Sequence, residues 1–473
     1  MSPSPVEHVV IVGGGIAGLA AAEQLLRHAP DQAPTRQPPR VTIIEPSGRP
    51  GGVVASVRQD GWLIERSADS FLAARPEGID LVTRLGLAHE LIGIQPRVRR
   101  ALILHRGRMV PVPAGFRLLA PGRVAPLLTT PLLSWRGKLR LLYEPFIPTG
   151  RAADESLEQF AMRRLGREAF ERLVQPLVAG IWTADPARLS MAAACPDFLT
   201  MERHAGSLFA GERARIRKAP TGQEASGARY GQFVSLASGM ETLPRRLAEH
   251  VEAAGARLVA DRAVAMRRLG ERWQVELAGQ APLDASAVII AVPAPAASHL
   301  LAAADPTLAE ALRAIDYAGS AVVSLGFARD AVAHPLDAAG VVVPRREGRG
   351  ILAISFSSEK FPGRAPEGHV LVRVFVGGAL DPGAALLDDV ALLSRVRRDA
   401  DAMLGIRGEP RIVQIDRWHA AMPQYHLGHV ERVATIRARA AALPRLALAG
   451  AAYEGVGIPQ VIASGQEAAK AIS

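Results

Sequence analysis

A glycine-rich turn between a buried strand and a helix constrains this chain more than any other feature. Residues His8–Val12 are a short apolar run suited to a buried parallel strand. Gly13, Gly15 and Gly18 set the spacing G-x-G-x-x-G, and Leu19–Leu26 continues with helix formers. Strand, glycine turn and helix in that order are the context a dinucleotide fingerprint requires. Glycine permits the tight turn and lets backbone N–H groups approach a pyrophosphate at the positive end of the helix. Strand 41–45 follows a loop containing proline and arginine, and its acidic end, Glu45, lies 27 residues after Gly18. The fingerprint's acidic residue typically sits about 20 residues on, and the long loop accounts for the surplus. A carboxylate there accepts hydrogen bonds from a ribose 2′-OH and repels a 2′-phosphate, which argues against NADP.

The rest of the chain bounds the setting. Its 473 residues allow two or three domains, and 49% hydrophobic with 22% charged residues is ordinary globular composition. The net charge of +10 is carried almost entirely by arginine. A basic surface attracts nucleic acid, anionic lipid or an acidic ligand, although high-GC codon usage also produces such a bias. With only 5% aromatic residues and no nucleic-acid-binding motif, no nucleic-acid partner is expected. A single cysteine, Cys195, builds neither a disulfide framework nor a clustered metal site, so no metal is expected and a reducing compartment fits. MSPSPVEH runs directly into the first strand without a signal-peptide pattern, and no stretch of 18 apolar residues appears. The expected location is cytoplasmic, with peripheral membrane contact left open.

SGRPGGVVASV (47–57) is a second glycine turn, and GWLIERSADSFLAARPE (61–77) is a strand entering a polar turn. From about 95 to 225 the chain is rich in Arg, Leu and Pro, with helical stretches such as 156–181. A helix near 240–254 and strands at 257–265, 272–277 and 286–292 return to α/β texture. Residues 319–328, 339–344, 350–357 and 369–377 look like antiparallel strands of a second sheet, and 205–230 reads as a mobile loop. The segment 446–472 repeats the opening plan of apolar strand, glycine turn and helix. Such a split, with one unit at each end of the chain, suits a long cofactor held at both ends; the helix near Ile458 can turn its positive end toward the far ring.

GGGIAGL, Glu45, SGRPGG and the terminal glycine–helix segment resemble the FAD-binding elements of the flavin amine-oxidase superfamily. Within it, GWLIERSADSFLAAR (61–75), LVQPLVAGIWTADPARLSM (173–191), FVSLASGMETLP (233–244), MPQYHLGH (422–429) and GAAYEGVGIPQVIASGQEAA (450–469) resemble the oxygen-dependent porphyrinogen oxidases of haem synthesis. The resemblance spans essentially the whole chain. It implies an α/β fold with a discontinuous Rossmann-like FAD-binding domain (1–78, 228–295, 440–473). It also implies an α+β substrate domain with an antiparallel sheet (79–94, 206–227, 296–439) and an inserted helical domain (95–205).

By position, the resemblance places FAD contacts on Gly13, Gly14, Gly15, Ile16, Ala17 and Gly18, on Glu45 and Pro46, and on Arg49, Gly51, Gly52 and Val53. Further contacts fall on Ser67, Ala68, Asp69 and Ser70, on a backbone group of Val264 toward the adenine, and on Trp418. Val456, Gly457 and Ile458 would face the isoalloxazine, their N–H groups meeting the edge where negative charge gathers on reduction. Glu454, close by, reads as structural. The implied reaction is six-electron oxidation of a porphyrinogen: flavin N5 takes a hydride from a bridge carbon, and oxygen reoxidises one non-covalent FAD, giving hydrogen peroxide. No protein group is nominated as catalytic.

Implied tetrapyrrole contacts are Gly180, Ile181, Val342 and Phe375, all residue types equally at home in a core. Where the eukaryotic protoporphyrinogen enzymes carry an arginine before the strand equivalent to 102–113, this chain has Ala101, with Arg100 beside it. Arg75 instead matches the basic residue that the bacterial coproporphyrinogen type carries after its DSFL motif, so coproporphyrinogen III is the expected substrate and protoporphyrinogen IX the alternative. Other flavin oxidations and a non-catalytic flavin-binding partner are further alternatives. The family also implies hand-over to a ferrochelatase-type enzyme and a monomer or homodimer. The segment 122–146 mixes apolar and basic residues; it is read here as buried helix packing, with an interfacial membrane segment as the alternative.

Overall fold

The protein is described from a computed structural model covering residues 7–27, 39–218 and 233–473. His8–Val12 is buried along its whole length, as a strand covered on both faces must be, and sits at the centre of a five-stranded parallel sheet. The order across this sheet is 257–259, 40–44, 8–12, 287–290 and 446–448, so strands from both ends of the chain and its middle share one layer. The helix Ile16–Leu26 packs beneath it against the C-terminal helix Ile458–Ile472. These two helices touch backbone to backbone: a Cβ on Gly465 would run into the carbonyl oxygen of Ala17.

A second, seven-stranded sheet lies apart, in the order 412–423, 317–328, 369–377, 353–356, 340–342, 101–105 and 108–111. Its pairs are antiparallel except for 340–342 with 101–105. The period of two sorts its residues cleanly. Val341, Ile354 and Val374, in register, enter a core shared with the helix Asp389–Leu404. Their neighbours Val342, Ala353 and Phe375, also in register, face the opposite way, toward a cluster of helices spanning 124–218.

Several expectations change. Strands 101–105 and 108–111, grouped by sequence with the helices, belong to the second sheet. The stretch 156–181 is helical as expected, with one break: Gly166, at φ +89°, ends Leu157–Leu165, and the chain resumes through a π-helical turn at 170–174 into Gln175–Trp182. The expected mobile loop begins instead with a helix, Leu208–Lys218, anchored by buried Leu208, Phe209 and Glu212; its remainder, 219–230, lies outside the described residues.

Burial fails for one face of 122–146. Trp135, Leu139, Tyr143 and Phe146 are 68%, 65%, 55% and 72% exposed, because their helical spacing turns them away from the face that buries Leu141. Among the described residues, no helix is long and apolar enough to cross a membrane, and no cluster of three or more metal-ligating side chains occurs.

Candidate active site

The glycine turn is shaped by steric exclusion at three positions and by open space at a fourth. Gly13 has φ +111°, and a Cβ there would lie 2.6 Å from the carbonyl oxygen of Ala291. A Cβ on Gly14 would press on Glu45 at 2.8 Å, and one on Gly18 would strike the carbonyl of Gly13. Gly15 meets nothing within 4 Å, so the first turn of the helix opens onto free room, as a pyrophosphate cradle must. The second glycine turn closes on the first, with Gly51 N–H donating to the carbonyl of Gly14 at 2.8 Å. Arg49 holds that turn by donating to the carbonyls of Gly52 (2.6 Å) and Val54 (3.1 Å), so it shapes the loop through its guanidinium. Pro46 is exposed, and Val53 is 47% exposed beside the same opening.

Glu45 accepts from Gly14 N–H at 3.0 Å through Oε2, and from the Ser47 N–H and hydroxyl at 3.0 and 2.7 Å through Oε1. A carboxylate has about four acceptor positions, so Oε2 keeps one lone pair for a ribose hydroxyl. Val264 lies where the pairing of 263–269 with 272–277 slips by one residue, which frees its backbone groups from the ladder. The open room at Gly15 and the spare acceptor on Glu45 fit the pyrophosphate and ribose of an adenine dinucleotide.

In the turn Ser67–Ser70 the Asp69 side chain has partners of its own. The Asp69 carboxylate is committed to Lys360 at 2.7 Å and Arg373 at 3.3 Å. Burial works to raise its pKa, but the two cations outweigh that and hold it well below the usual carboxylate range. Its side chain therefore anchors the turn to Lys360 and to the second sheet at Arg373. Ser67 donates to the carbonyl of Val53 at 2.5 Å, joining this turn to the second glycine turn. Trp418 donates from Nε1 to the carbonyl of Arg66 at 2.9 Å, bringing the strand 412–423 to the same place.

At the far end, Gly457 caps the helix Ile458–Ile472 without a side-chain cap, which leaves its first-turn N–H groups for another acceptor. A Cβ on Gly457 would sit 2.5 Å from Gln460 Oε1. Val456 packs on the cluster that contains Val342, Ala353, Trp182 and Tyr425, with Phe375 also against it. A Cβ on Gly180 would lie 3.6 Å from Val342. Val342, Ala353 and Phe375 therefore form one apolar sheet face against Gly180, and the neighbouring Ile181 is 44% exposed. Arg373 caps this face, its guanidinium 5.4 Å above the Phe375 ring.

The remaining positions stand apart. Arg75 is exposed at the start of the helix Pro76–Arg84, with no ion-pair partner among the described residues. Arg100 pairs with Asp337, while Ala101 is buried in the cluster that contains Val342 and Ala353; strand alternation turns Arg100 away, so it does not replace the missing arginine. Glu454 forms an exposed pair with Arg437 at 2.9 Å, in keeping with a structural role. Lys360, Arg373, Trp182 and Tyr425 were missed. For Tyr425 and Trp182 the signal was present in MPQYHLGH and LVQPLVAGIWTADPARLSM; for Lys360 and Arg373 it lies only in the tertiary pairing with Asp69.

Comparison with known proteins decides the family. The family described as flavin containing amine oxidoreductase matches residues 16–473. This chain belongs to it. The family assignment makes the protein a flavin-dependent oxidoreductase. The chain is 34% identical over 464 residues to a coproporphyrinogen III oxidase of Bacillus subtilis, covering 98% of this chain and 97% of that one. It is 33% identical over 487 residues to a human protoporphyrinogen oxidase, covering 98% of each. A solved structure of a candidate protoporphyrinogen oxidase from Exiguobacterium sp. 255-15 superposes with a TM-score of 0.85 at 32% identity, covering 98% of each chain.

Proposed function

We propose that the protein oxidises coproporphyrinogen III to coproporphyrin III, passing six electrons and six protons to three molecules of oxygen, with three hydrogen peroxide molecules released. The observation that carries the reading is the apolar sheet face Val342–Ala353–Phe375 against Gly180, in the cluster on which Val456 packs, one residue from the uncapped helix start at Gly457. The pyrrole and methylene face of a porphyrinogen, with its propionates turned outward, suits such a surface, and the free first-turn N–H groups suit the edge of a ring that gains negative charge. FAD supplies two-electron acceptance from a bridge carbon; the chain's own residues hold its pyrophosphate at Gly13–Gly18, its ribose at Glu45 and its ring edge at 456–458. Arg75, exposed and without an ion-pair partner among the described residues, is assigned to a propionate, of which coproporphyrinogen carries four and protoporphyrinogen two. The test is the initial rate of porphyrin fluorescence growth on each porphyrinogen under air. A clear preference for coproporphyrinogen that Arg75→Ser weakens supports the reading. Preference for protoporphyrinogen replaces the substrate, and oxidation of neither by FAD-loaded protein defeats it.

A peripheral contact with an anionic lipid surface is favoured by Trp135, Leu139, Tyr143 and Phe146, which are exposed beside the exposed Arg136 in a chain of net charge +10. Co-sedimentation with phosphatidylglycerol vesicles, lost in the double variant Trp135→Ser, Phe146→Ser and absent with zwitterionic vesicles, is the expected result. Equal sedimentation of the variant removes this part of the reading.

A further inference from the structure

The stretch 422–429 contributes nothing to the contacts assigned above, yet its Tyr425 is fully buried and touches both sides of the site. The Tyr425 hydroxyl donates to the carbonyl of Ala451 at 2.6 Å and accepts from Gly455 N–H at 2.7 Å. Those two bonds close the turn immediately before Val456, at a glycine held at φ +112°. The same turn is held a third time by His429, whose Nε2–H donates to the carbonyl of Tyr453 at 3.2 Å. Burial lowers the His429 pKa to about 4, so the ring is neutral, and it stacks on Tyr425 at 4.0 Å.

On the other side, the Tyr425 ring lies 5.2 Å from Trp182, two residues beyond Gly180 on the helix Gln175–Trp182. Its carbonyl accepts from Ser190 N–H at 2.8 Å, and Leu427 N–H donates to the carbonyl of Arg188 at 2.9 Å. These bonds zip the segment that follows the substrate helix onto the 425–427 backbone.

We propose that Tyr425 is a positioning residue that locks the flavin-facing turn 451–458 to the substrate helix 175–182 and so sets the separation between flavin and macrocycle. The assignment rests on the porphyrinogen-oxidase reading. Hydride transfer needs reacting atoms about 3–3.5 Å apart, and a misplacement of about 1 Å costs up to about a hundredfold in rate. The hydroxyl supplies what an aliphatic residue cannot: one group that donates to and accepts from the same turn. The aromatic ring fixes that group against Trp182.

Tyr425→Phe keeps the ring and removes both bonds. The holoenzyme is mixed anaerobically with saturating coproporphyrinogen III, and flavin bleaching is followed per bound flavin. Reoxidation of dithionite-reduced enzyme by oxygen, which needs no macrocycle, serves as the internal control. The expected result is a reduction rate lowered about tenfold or more, an altered flavin absorption band, KM changed less than about threefold and unchanged reoxidation. An unchanged reduction rate per bound flavin overturns the proposal, even if the melting temperature falls, because the role is then merely structural. Failure of the variant to retain FAD also overturns it. Wild-type flavin that no porphyrinogen reduces overturns both this and the reading it rests on.

Discussion

The chain builds strand, glycine turn and helix twice, at 8–26 and at 446–472, and stabilises the two units differently. In the opening unit the constraints are mostly local: Gly18 excludes a side chain because the carbonyl of Gly13 lies against it, and Glu45 reaches Gly14 from the next strand. In the closing unit the turn is held from outside, by Tyr425 and His429 from a connection more than twenty residues upstream. The opening turn is thus held by neighbouring backbone and one carboxylate, and the closing turn by two side chains from elsewhere in the chain. Where a turn's N–H and C=O groups find partners decides what holds it.

The contrast can be broken at either unit. The largest effect is expected from Gly18→Val, which drives a branched side chain into the Gly13 carbonyl. It should cost about 3 kcal/mol or more and abolish FAD binding, read by thermal melting and flavin retention. A remote change should reach the closing unit. Because burial holds His429 at about 4 against 6.5, the unfolded chain carries the extra proton between those values. Stability is then complete above pH 6.5 and is lost as the pH falls toward 4, by roughly 3 kcal/mol at most from this group. His429→Gln should flatten that part of the melting-temperature profile; an unchanged slope would place the effect in other histidines.

Gly15→Ala sharpens the comparison, because its Cβ meets open space. The apoprotein should melt as the wild type does while FAD affinity falls about tenfold, or about 1.4 kcal/mol, by fluorescence titration. A lower melting temperature with full affinity would deny that the space belongs to the cofactor. The smallest effect is expected at Glu454→Gln, whose exposed pair with Arg437 should leave turnover unchanged within about twofold. A larger loss would bring that carboxylate into the chemistry.

The residues that were legible share a trait. Gly13, Gly15, Gly18 and Glu45 act within a short span whose spacing is itself the signal, and the strands 369–377 and 446–448 announce themselves as buried apolar runs. The 412–423 strand was passed over because polar and charged residues interrupt it; it is stabilised by pairing with 317–328 along nearly its whole length. Trp135 and Phe146 were misread because apolar residues at helical spacing imply a buried face only when another element covers it.

By itself, then, the sequence determined the dinucleotide cradle, the split of the cofactor-binding fold between the chain's two ends and the family, because these depend on residue types at short, fixed spacings. Only the tertiary structure decided that Val342 and Phe375 share a sheet face with Gly180 against it, and that Asp69 is neutralised by Lys360 and Arg373. It alone also showed that Tyr425 holds the closing turn. Sheet register and buried polar pairing join residues far apart in the chain, and no local pattern records which partners the fold will bring into reach.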